Sequence, residues 1–345
     1  MLVDLTHGDA HAVIDTALGN IPVWQVGGRT PLHAAPWRDE PEIQDNPDLP
    51  LVNKRLAGDF FCMPFGRDDL HGYPPHGPTA NTPWTQMGHS GHTARFVNAA
   101  GPLGAAVAKE VQISGPSLLQ RHVVDKGAGA VTFAHHPMVH MAEGGRLSFS
   151  PKRAVITDPT PQHEGHNLWA LNQLRSDLHL DCDDGSQWDL RTYPAGHLVE
   201  DFCTLVEARG AALAWTCVMR NAEDEVILVL KDPVMMPVTM LWVSNGARDF
   251  VPWNGRHTGV LGIEDGRALG CQGLAAATRD NVLTAMDVPT TLELSNTHVI
   301  RHAMVSLPRP SGWSELASVT LSGATLILHE ARGGEMSVAF PEGFF

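Results

Sequence analysis

Residues 58–84 read GDFFCMPFGRDDLHGYPPHGPTANTPW, and the rest of the chain is interpreted around this stretch. Its second half contains four closely spaced prolines, at positions 74, 75, 78 and 83. Proline removes a backbone donor and fixes φ, so neither a helix nor a strand should persist there. Long irregular segments in compact proteins either connect elements at the surface or carry function. A proline-rich surface connection and a functional loop both remain open, and the aromatic, His and Asn side chains make the loop a candidate site.

The segments on either side of this stretch read as short strands. Residues 11–35 predict two or three strands broken by Gly-containing turns. Residues 36–55 are polar and Pro-rich and predict a loop. The leucines of residues 163–178 recur at helical spacing and predict a helix, with a loop as the alternative. Beyond the stretch, apolar and β-branched runs alternate with turn residues to give roughly fifteen to twenty strands. No linker divides the chain, so one domain over residues 1–345 is expected. The pattern predicts an all-β fold, a large antiparallel β-sandwich, although counting strands does not distinguish it from a jelly roll or a propeller.

Composition excludes several classes of function. Of the 345 residues, 43% are hydrophobic and 18% are charged, which is typical of a globular protein. The net charge is −14, from 24 Lys and Arg against 38 Asp and Glu. An acidic surface of this kind repels nucleic acid and anionic membranes, so neither is expected as a partner.

The cysteines and the N-terminus predict a cytoplasmic protein. The five cysteines, at positions 62, 182, 203, 217 and 271, are odd in number and never form a CxxC pair. They suit a reducing compartment and predict no disulfide and no zinc knuckle. The first residues lack the basic start and apolar run of a secretory signal, and no stretch is apolar for long enough to span a membrane.

The second half of the opening stretch resembles a family loop. HGPTANTPW, residues 76–84, is similar to the HGFARxxPW loop of the galactose mutarotase-like superfamily, which includes aldose 1-epimerases and hexose-6-phosphate epimerases. GDFFCMPFG, residues 58–66, resembles the segment that leads into that loop. Ala80 stands where these families often have Arg. The resemblance implies a β-supersandwich that acts on a sugar without a cofactor or a metal.

Two further motifs imply the acid and the base. His136-Pro137-Met138-Val139 resembles the HPYF segment whose His is the general acid, with Met and Val in place of the aromatics. GVLGIEDG, residues 259–266, resembles the strand that presents the catalytic Glu, which makes Glu264 the general base. A strand that simply ends in an exposed acidic turn is the alternative for that segment. A carboxylate beside an apolar strand end is a suitable base because partial desolvation raises its proton affinity. The acid and the base are expected on opposite sides of one cavity.

The resemblance also implies residues that bind the sugar. These are His76, Asn81 and Trp84 in the family-like loop, Arg67 just before it, and Asp201 in a later strand. Glu200 or Asp189 is an alternative to Asp201, and Trp242 and Trp253 are further candidates for stacking on the sugar. Because Ala80 removes a cation, a neutral, unphosphorylated sugar is expected, with Arg67 as the one nearby cation that could compensate.

Three histidines within residues 135–140 raise the alternative of a metal site. His136 and His140 would share a face of a strand. No Cys or carboxylate cluster accompanies them in sequence, so no metal is expected. The other interpretations are that these histidines are ordinary polar residues of a strand, or that His136 belongs to the HPYF-like segment.

The sequence therefore predicts an aldose 1-epimerase-like isomerase whose partner is a small sugar and which is a monomer or a homodimer. A non-catalytic carbohydrate-binding or regulatory protein on the same fold is the alternative. An accessory domain of a polysaccharide lyase or glycosidase is a more distant one, disfavoured by the two Tyr and the missing secretion signal.

Overall fold

The computed structural model describes residues 1–345, and its regular structure is almost entirely antiparallel strand. The strands of the first half are β1 (Leu2–His7), β2 (Ala10–Asp15), β3 (Asn20–Val26), β4 (Phe61–Cys62), β5 (Thr85–Ser90), β6 (Thr93–Asn98), β7 (Ala105–Ser114), β8 (Ser117–Lys126), β9 (Ala130–Val131), β10 (Phe133–His135), β11 (Met138–His140), β12 (Gly145–Phe149) and β13 (Lys152–Thr157). Those of the second half are β14 (Leu174–Arg175), β15 (His179–Asp181), β16 (Gln187–Asp189), β17 (Val199–Glu207), β18 (Ala214–Arg220), β19 (Glu225–Lys231), β20 (Val238–Asn245), β21 (Val260–Arg267), β22 (Leu292–Glu293), β23 (His298–Pro308), β24 (Leu316–Ser322), β25 (Thr325–Glu330) and β26 (Glu335–Ala339).

The helices are short. The α-helices are α1 (Pro41–Gln44), α2 (Leu51–Lys54) and α3 (Leu274–Ala277), and 3₁₀ turns lie at Pro78–Ala80, Pro102–Gly104 and Thr284–Met286. Each α-helix is a single turn, and none is long and apolar enough to cross a membrane.

Two eight-stranded sheets form the sandwich. The first, called here the front sheet, has the order β14-β13-β17-β20-β21-β10-β4, and β11 also pairs with β21. The second, the back sheet, has the order β12-β18-β19-β23-β8-β7-β6-β5. All of these pairs are antiparallel, so the predicted antiparallel β-sandwich is confirmed.

Apolar side chains divide into three layers because successive residues of a strand point to opposite faces. The largest cluster lies between the sheets and joins front-sheet residues such as Ile263 to back-sheet residues such as Ile227. A second cluster, which includes Trp242 and Trp253, lies on the outer face of the front sheet under the connecting loops. A third lies on the outer face of the back sheet, where the small sheet β24-β25-β26 covers it. Both sheets are therefore buried on both faces over much of their area.

The expected helix at residues 163–178 is wrong. The segment is irregular apart from β14, and Leu174, a residue of the supposed apolar stripe, is exposed. Gly165 and Asn172 have positive φ values of 75° and 56°, which a right-handed helix does not accommodate. The backbone amides of Leu168 and Trp169, which would lie inside the helix, donate instead to a buried carboxylate, Asp201.

The segments before and within the opening stretch depart less from expectation. Residues 36–55, predicted as loop, contain the one-turn helices α1 and α2. The second half of the opening stretch has no regular structure beyond the 3₁₀ turn Pro78–Ala80, as its prolines predict.

Candidate functional site

A cavity of about 260 Å³ opens on the outer face of the front sheet. Its walls include aromatic, basic and acidic side chains that come from the front sheet and from the loops above it: Phe65, His76, His136, Trp242, Arg248 and Glu264. This volume is slightly below the roughly 300 Å³ at which the usual range of ligand pockets begins. Arg67 also lines the cavity.

Strand alternation places His136 and Glu264 in this cavity and turns their chain neighbours away from it. Asp265 points between the sheets, where it bonds to His302 of the back sheet at 3.2 Å. His135 also points between the sheets and stacks on His302 with ring centroids 4.1 Å apart. The residues beside them, His136 and Glu264, therefore face outward. Each doublet contributes one residue to the site and one to the interior.

The His136 and Glu264 side chains form a direct pair. His136 Nε2 lies 2.9 Å from Glu264 Oε1, and both side chains are almost completely buried. Glu264 Oε2 and His136 Nδ1 have no hydrogen-bond partner in the protein. Both residues line one cavity, but the expectation that their functional atoms lie on opposite sides of it is wrong, because those atoms are in contact. A buried carboxylate oxygen without a hydrogen-bond partner is uncommon in folded proteins.

Glycine and aromatic residues shape the space around this pair. A Cβ at Gly262 would lie 2.8 Å from Glu264 Oε1 and 3.1 Å from the Cβ of Trp242, so the absence of a side chain there gives the carboxylate its room. The ring of Phe60 stacks on His136 with centroids 4.5 Å apart and an interplanar angle of 18°. The backbone N–H of His136 donates to Asp59 Oδ1 at 2.9 Å, which fixes the backbone beside the His136–Glu264 pair.

His76 approaches His136 from the family-like loop. The two rings are edge-to-face, with centroids 5.1 Å apart. His76 has a φ of 62°, in the left-handed region, which is uncommon for a residue other than glycine. The next residue, Gly77, also has a positive φ, and a Cβ there would collide with the carbonyl oxygen of Met63. Burial, followed by the nearby His136 and Arg248, holds the pKa of His76 well below its usual value, so its ring is neutral.

Asn81 and Trp84 build this loop and do not line the cavity. Asn81 Oδ1 accepts from the backbone of Val52 at 3.1 Å, and its Nδ2 donates to two backbone carbonyls of the loop at 2.8 Å. Trp84 is buried in the inter-sheet core, and its Nε1 donates to the carbonyl of Thr79 at 2.9 Å. The structure thus brings His76 and Arg67 to the cavity, and leaves the other two predicted residues of this region outside it.

Asp201 lies outside the cavity as well. It accepts hydrogen bonds from the backbone amides of Leu168 and Trp169, and burial raises its pKa to about 7. The alternation of β17 instead turns the preceding residue, Glu200, toward the site side of the sheet. Glu200 was the alternative to Asp201, whereas Asp189 lies on β16, outside the front sheet.

Glu200 holds a cation that the sequence analysis did not find. Glu200 Oε1 lies 2.9 Å from Arg248 Nη2 and accepts from Trp242 Nε1 at 2.6 Å, while Oε2 accepts from Ser244 at 2.9 Å. The guanidinium carbon of Arg248 lies 4.5 Å from the ring centroid of Trp253 and 5.4 Å from that of Trp242. Both tryptophans line the cavity, as does Arg248. Arg248 follows β20 in an irregular segment, so no strand or helix pattern in the sequence indicated that it faces the cavity.

The histidines of residues 135–140 do not gather around one point. His136 faces the cavity, His135 faces the interior, and the ring of His140 lies against His33, with the two Nδ1 atoms 3.4 Å apart. The prediction that no metal is bound stays a prediction.

A different trio, Asp59, His135 and His302, offers ligand atoms within 4.8 Å of one another. The rings of His135 and His302 are parallel to within 10° and stacked, so their in-plane lone pairs run side by side and do not converge on an ion. Asp59 Oδ2 also already accepts from Gln120 and from His135. As arranged, these residues do not fit a metal.

Comparison with known proteins supports the fold. No family model matches the chain, and no curated protein matches it in sequence. Among solved structures, a candidate aldose 1-epimerase from Escherichia coli K12 is 14% identical with a TM-score of 0.61, covering 89% of this chain and 99% of that one. A galactose mutarotase related enzyme from Lactobacillus acidophilus is 11% identical with a TM-score of 0.59, covering 90% and 99%. A galactose mutarotase-like protein from Lactobacillus casei ATCC 334 is 11% identical with a TM-score of 0.56, covering 89% and 100%. Identities this low bear on the fold alone, and the chain therefore has the galactose mutarotase-like fold.

Proposed function

We propose that this protein interconverts the α and β anomers of a sugar by acid–base ring opening, as an aldose 1-epimerase does, without a cofactor. The observation that carries the proposal is the contact of 2.9 Å between His136 Nε2 and Glu264 Oε1 at the wall of a small cavity lined by tryptophan. The names of the structural neighbours agree with this chemistry, and the fold alone does not fix it.

The adjacency of the two groups suits the reaction. The anomeric hydroxyl and the ring oxygen are bonded to the same carbon, so a base and an acid that act on them can be neighbours. The cycle starts with His136 protonated and Glu264 ionised. Glu264 takes the proton of the hydroxyl, the C1–O5 bond breaks, and O5 takes a proton from His136. Rotation about the C1–C2 bond and the reverse transfers then close the ring on the other face. Each positioned proton transfer of this type typically contributes about 10²–10⁴-fold in rate.

The other side chains of the cavity would hold the sugar. His76 reaches the cavity beside His136 and is suited to hydrogen-bond a hydroxyl. Trp242 and Trp253 line the cavity, where an aromatic side chain can contact the apolar face of a pyranose, and Arg67 lies at the rim with its side chain 71% exposed.

The proposed substrate is a neutral, unphosphorylated aldose. The two cations of the cavity already have acidic partners, because Arg248 lies 2.9 Å from Glu200 and Arg67 lies 3.7 Å from Asp69. The presence of both arginines at one cavity is nevertheless the observation that favours a second candidate, a sugar that carries a phosphate or carboxylate. Comparing the turnover of a free aldose with that of its 6-phosphate decides between them, and a strong preference for the phosphate would establish the second.

Polarimetry of freshly dissolved α-glucose and α-galactose tests the activity itself. We expect faster mutarotation with the protein than without it, and a fall of about 10²–10⁴-fold in the protein-dependent rate for Glu264→Gln, which keeps the shape but cannot accept the proton. Glu335→Gln is the matched control, since the Glu335 side chain is 60% exposed on β26. Binding of sugars with no acceleration for any of them would favour the alternative of a non-catalytic carbohydrate-binding protein.

A further inference from the structure

A thiol lies behind His76, on the side of the ring away from the cavity. Cys62 ends β4, and the alternation of that strand turns Phe61 into the inter-sheet core and Cys62 outward, into the layer that holds the site. Cys62 is paired in register with Ala134 of β10, two residues before His136. Its Sγ lies 3.3 Å from Nδ1 of His76, and the residue is completely buried.

The surroundings keep this Cys–His pair neutral. Burial, and then the negative charges of Glu264 and Asp59, raise the pKa of the Cys62 thiol well above its usual value. Burial and the nearby His136 and Arg248 act on His76 in the opposite direction and lower its pKa. Both shifts oppose a thiolate–imidazolium pair, so Cys62 is not an activated nucleophile. The contact is therefore one between a neutral thiol and a neutral imidazole nitrogen.

The rest of the His76 ring has no other polar partner. Phe60 and Phe65 contact it edge-to-face, with ring centroids 5.6 Å and 5.5 Å away. His76 Nε2 makes no hydrogen bond with the protein, and it is not enclosed as the unpartnered nitrogens of His122 and His135 are. Since His76 lines the cavity and its Nδ1 faces the thiol, Nε2 is the nitrogen that is left for a ligand.

We propose that Cys62 is a positioning residue that fixes the tautomer of His76. By donating its S–H to Nδ1, the thiol places the ring proton on Nε2, so His76 presents a hydrogen-bond donor to the cavity. A sugar hydroxyl or ring oxygen is the acceptor that this donor fits. The proposal deepens the proposed function and rests on it for the identity of the ligand, whereas the tautomer itself can be read without any substrate.

The tautomer is tested by nitrogen NMR of ¹⁵N-histidine-labelled protein, with the signals of His76 assigned by their loss in His76→Gln. We expect a pyrrole-type Nε2 and a pyridine-type Nδ1 in the native protein and in Cys62→Ser, which retains a donor. Cys62→Ala should show a mixture of both tautomers. A native protein with the proton on Nδ1, or on both nitrogens, would overturn the proposal, and this result depends neither on activity nor on the folding of a Cys62 variant.

The kinetic test separates positioning from a general loss of packing. For Cys62→Ala we expect KM for the sugar to rise about tenfold with a smaller change in kcat, since one hydrogen bond to the ligand is weakened, and Cys62→Ser should recover most of it. The matched control is Cys203→Ala, which removes a fully buried thiol from β17 where no histidine is bonded to it. Equal losses in Cys62→Ala and Cys203→Ala would contradict a positioning role. If the protein accelerated no mutarotation, the proposed function would fail while the NMR result stood.

Discussion

Replacing Arg248, which pairs with Glu200, tests whether the Arg248 charge stabilises the fold or binds an anionic substrate. Replacing Arg248 by Met keeps an apolar stem of similar length and removes the guanidinium. Glu200 is completely buried and would lose the charged partner 2.9 Å away, while keeping its bonds from Trp242 and Ser244. Removing one partner of a buried ion pair costs about 3–5 kcal/mol, and contact with an aromatic ring adds about 0.5–1 kcal/mol. Because the Arg248 side chain is 18% exposed and Glu200 keeps two donors, we expect a loss of about 2–4 kcal/mol.

Urea unfolding measures this loss in the free energy of unfolding, and the pH dependence of the loss shows whether Glu200 causes it. Burial, the largest influence, raises the pKa of Glu200, and Arg248 opposes that shift. Without Arg248 the pKa rises further above its unfolded value, so the folded state binds more protons than the unfolded state. The free energy of unfolding of Arg248→Met should therefore recover toward that of the native protein as pH falls through the folded pKa of Glu200.

An exposed arginine provides the control. Arg209 lies 2.7 Å from Asp287, and the two side chains are 68% and 82% exposed. Arg209→Met should change the free energy of unfolding by less than about 1 kcal/mol. Two results would refute the reasoning: equal losses for the two variants, or unchanged stability in Arg248→Met with a loss of activity confined to a sugar phosphate. The second would assign the Arg248 charge to an anionic substrate.

Three further outcomes are expected from residues of the front sheet. Glu264→Gln should lower the protein-dependent mutarotation rate by about 10²–10⁴-fold, as measured by polarimetry. Asp265→Asn should lower the free energy of unfolding by about 3 kcal/mol, because it unpairs a buried network that contains Lys231 at 2.8 Å, and a larger loss of rate in Asp265→Asn than in Glu264→Gln would contradict the assigned faces. Gly262→Ala should lower kcat, because its Cβ would lie 2.8 Å from Glu264 Oε1, and an unchanged kcat would show that the carboxylate has room to move. Asp201 has a pKa raised to about 7, so it binds its proton more tightly in the folded state than in the unfolded state. The free energy of unfolding of the native protein should therefore fall, relative to that of Asp201→Asn, as pH rises from about 4 to about 7. Parallel pH profiles of the two proteins would contradict this.

The fold could be predicted from the sequence because strand signals are local. Alternating runs such as residues 108–114 predict strands, and the Gly residues between them predict turns, without knowledge of distant residues. The structure confirms an antiparallel sandwich. The prediction of a helix at residues 163–178 was wrong. The backbone amides of Leu168 and Trp169 donate to a distant carboxylate, Asp201, and the leucine spacing contains no information about that contact. A local pattern cannot report a partner that is more than thirty residues away.

The site was predictable only where a residue lies within a motif. Glu264 and His136 were found through motifs, and the structure brings them together in the cavity. Asp201 was preferred to Glu200 on a family resemblance. The residues alone could not decide between them, because which of two strand neighbours faces the site depends on how the sheet packs. Arg248 was missed because it lies in an irregular segment whose position is set by Trp242 and Trp253, residues that become its neighbours only on folding.

The two doublets, His135-His136 and Glu264-Asp265, have a consequence for recognising related chains. Each doublet places residues of the same chemical kind on opposite faces of the front sheet, with His136 directly after the last residue of β10. An alignment of this chain with a distant relative can slip by one position in either strand and still match a histidine to a histidine, or an acid to an acid. At identities of 11–14%, residue matching therefore does not distinguish the proposed proton-transfer groups, His136 and Glu264, from the interior pair. The direction in which each side chain leaves the sheet is what identifies them.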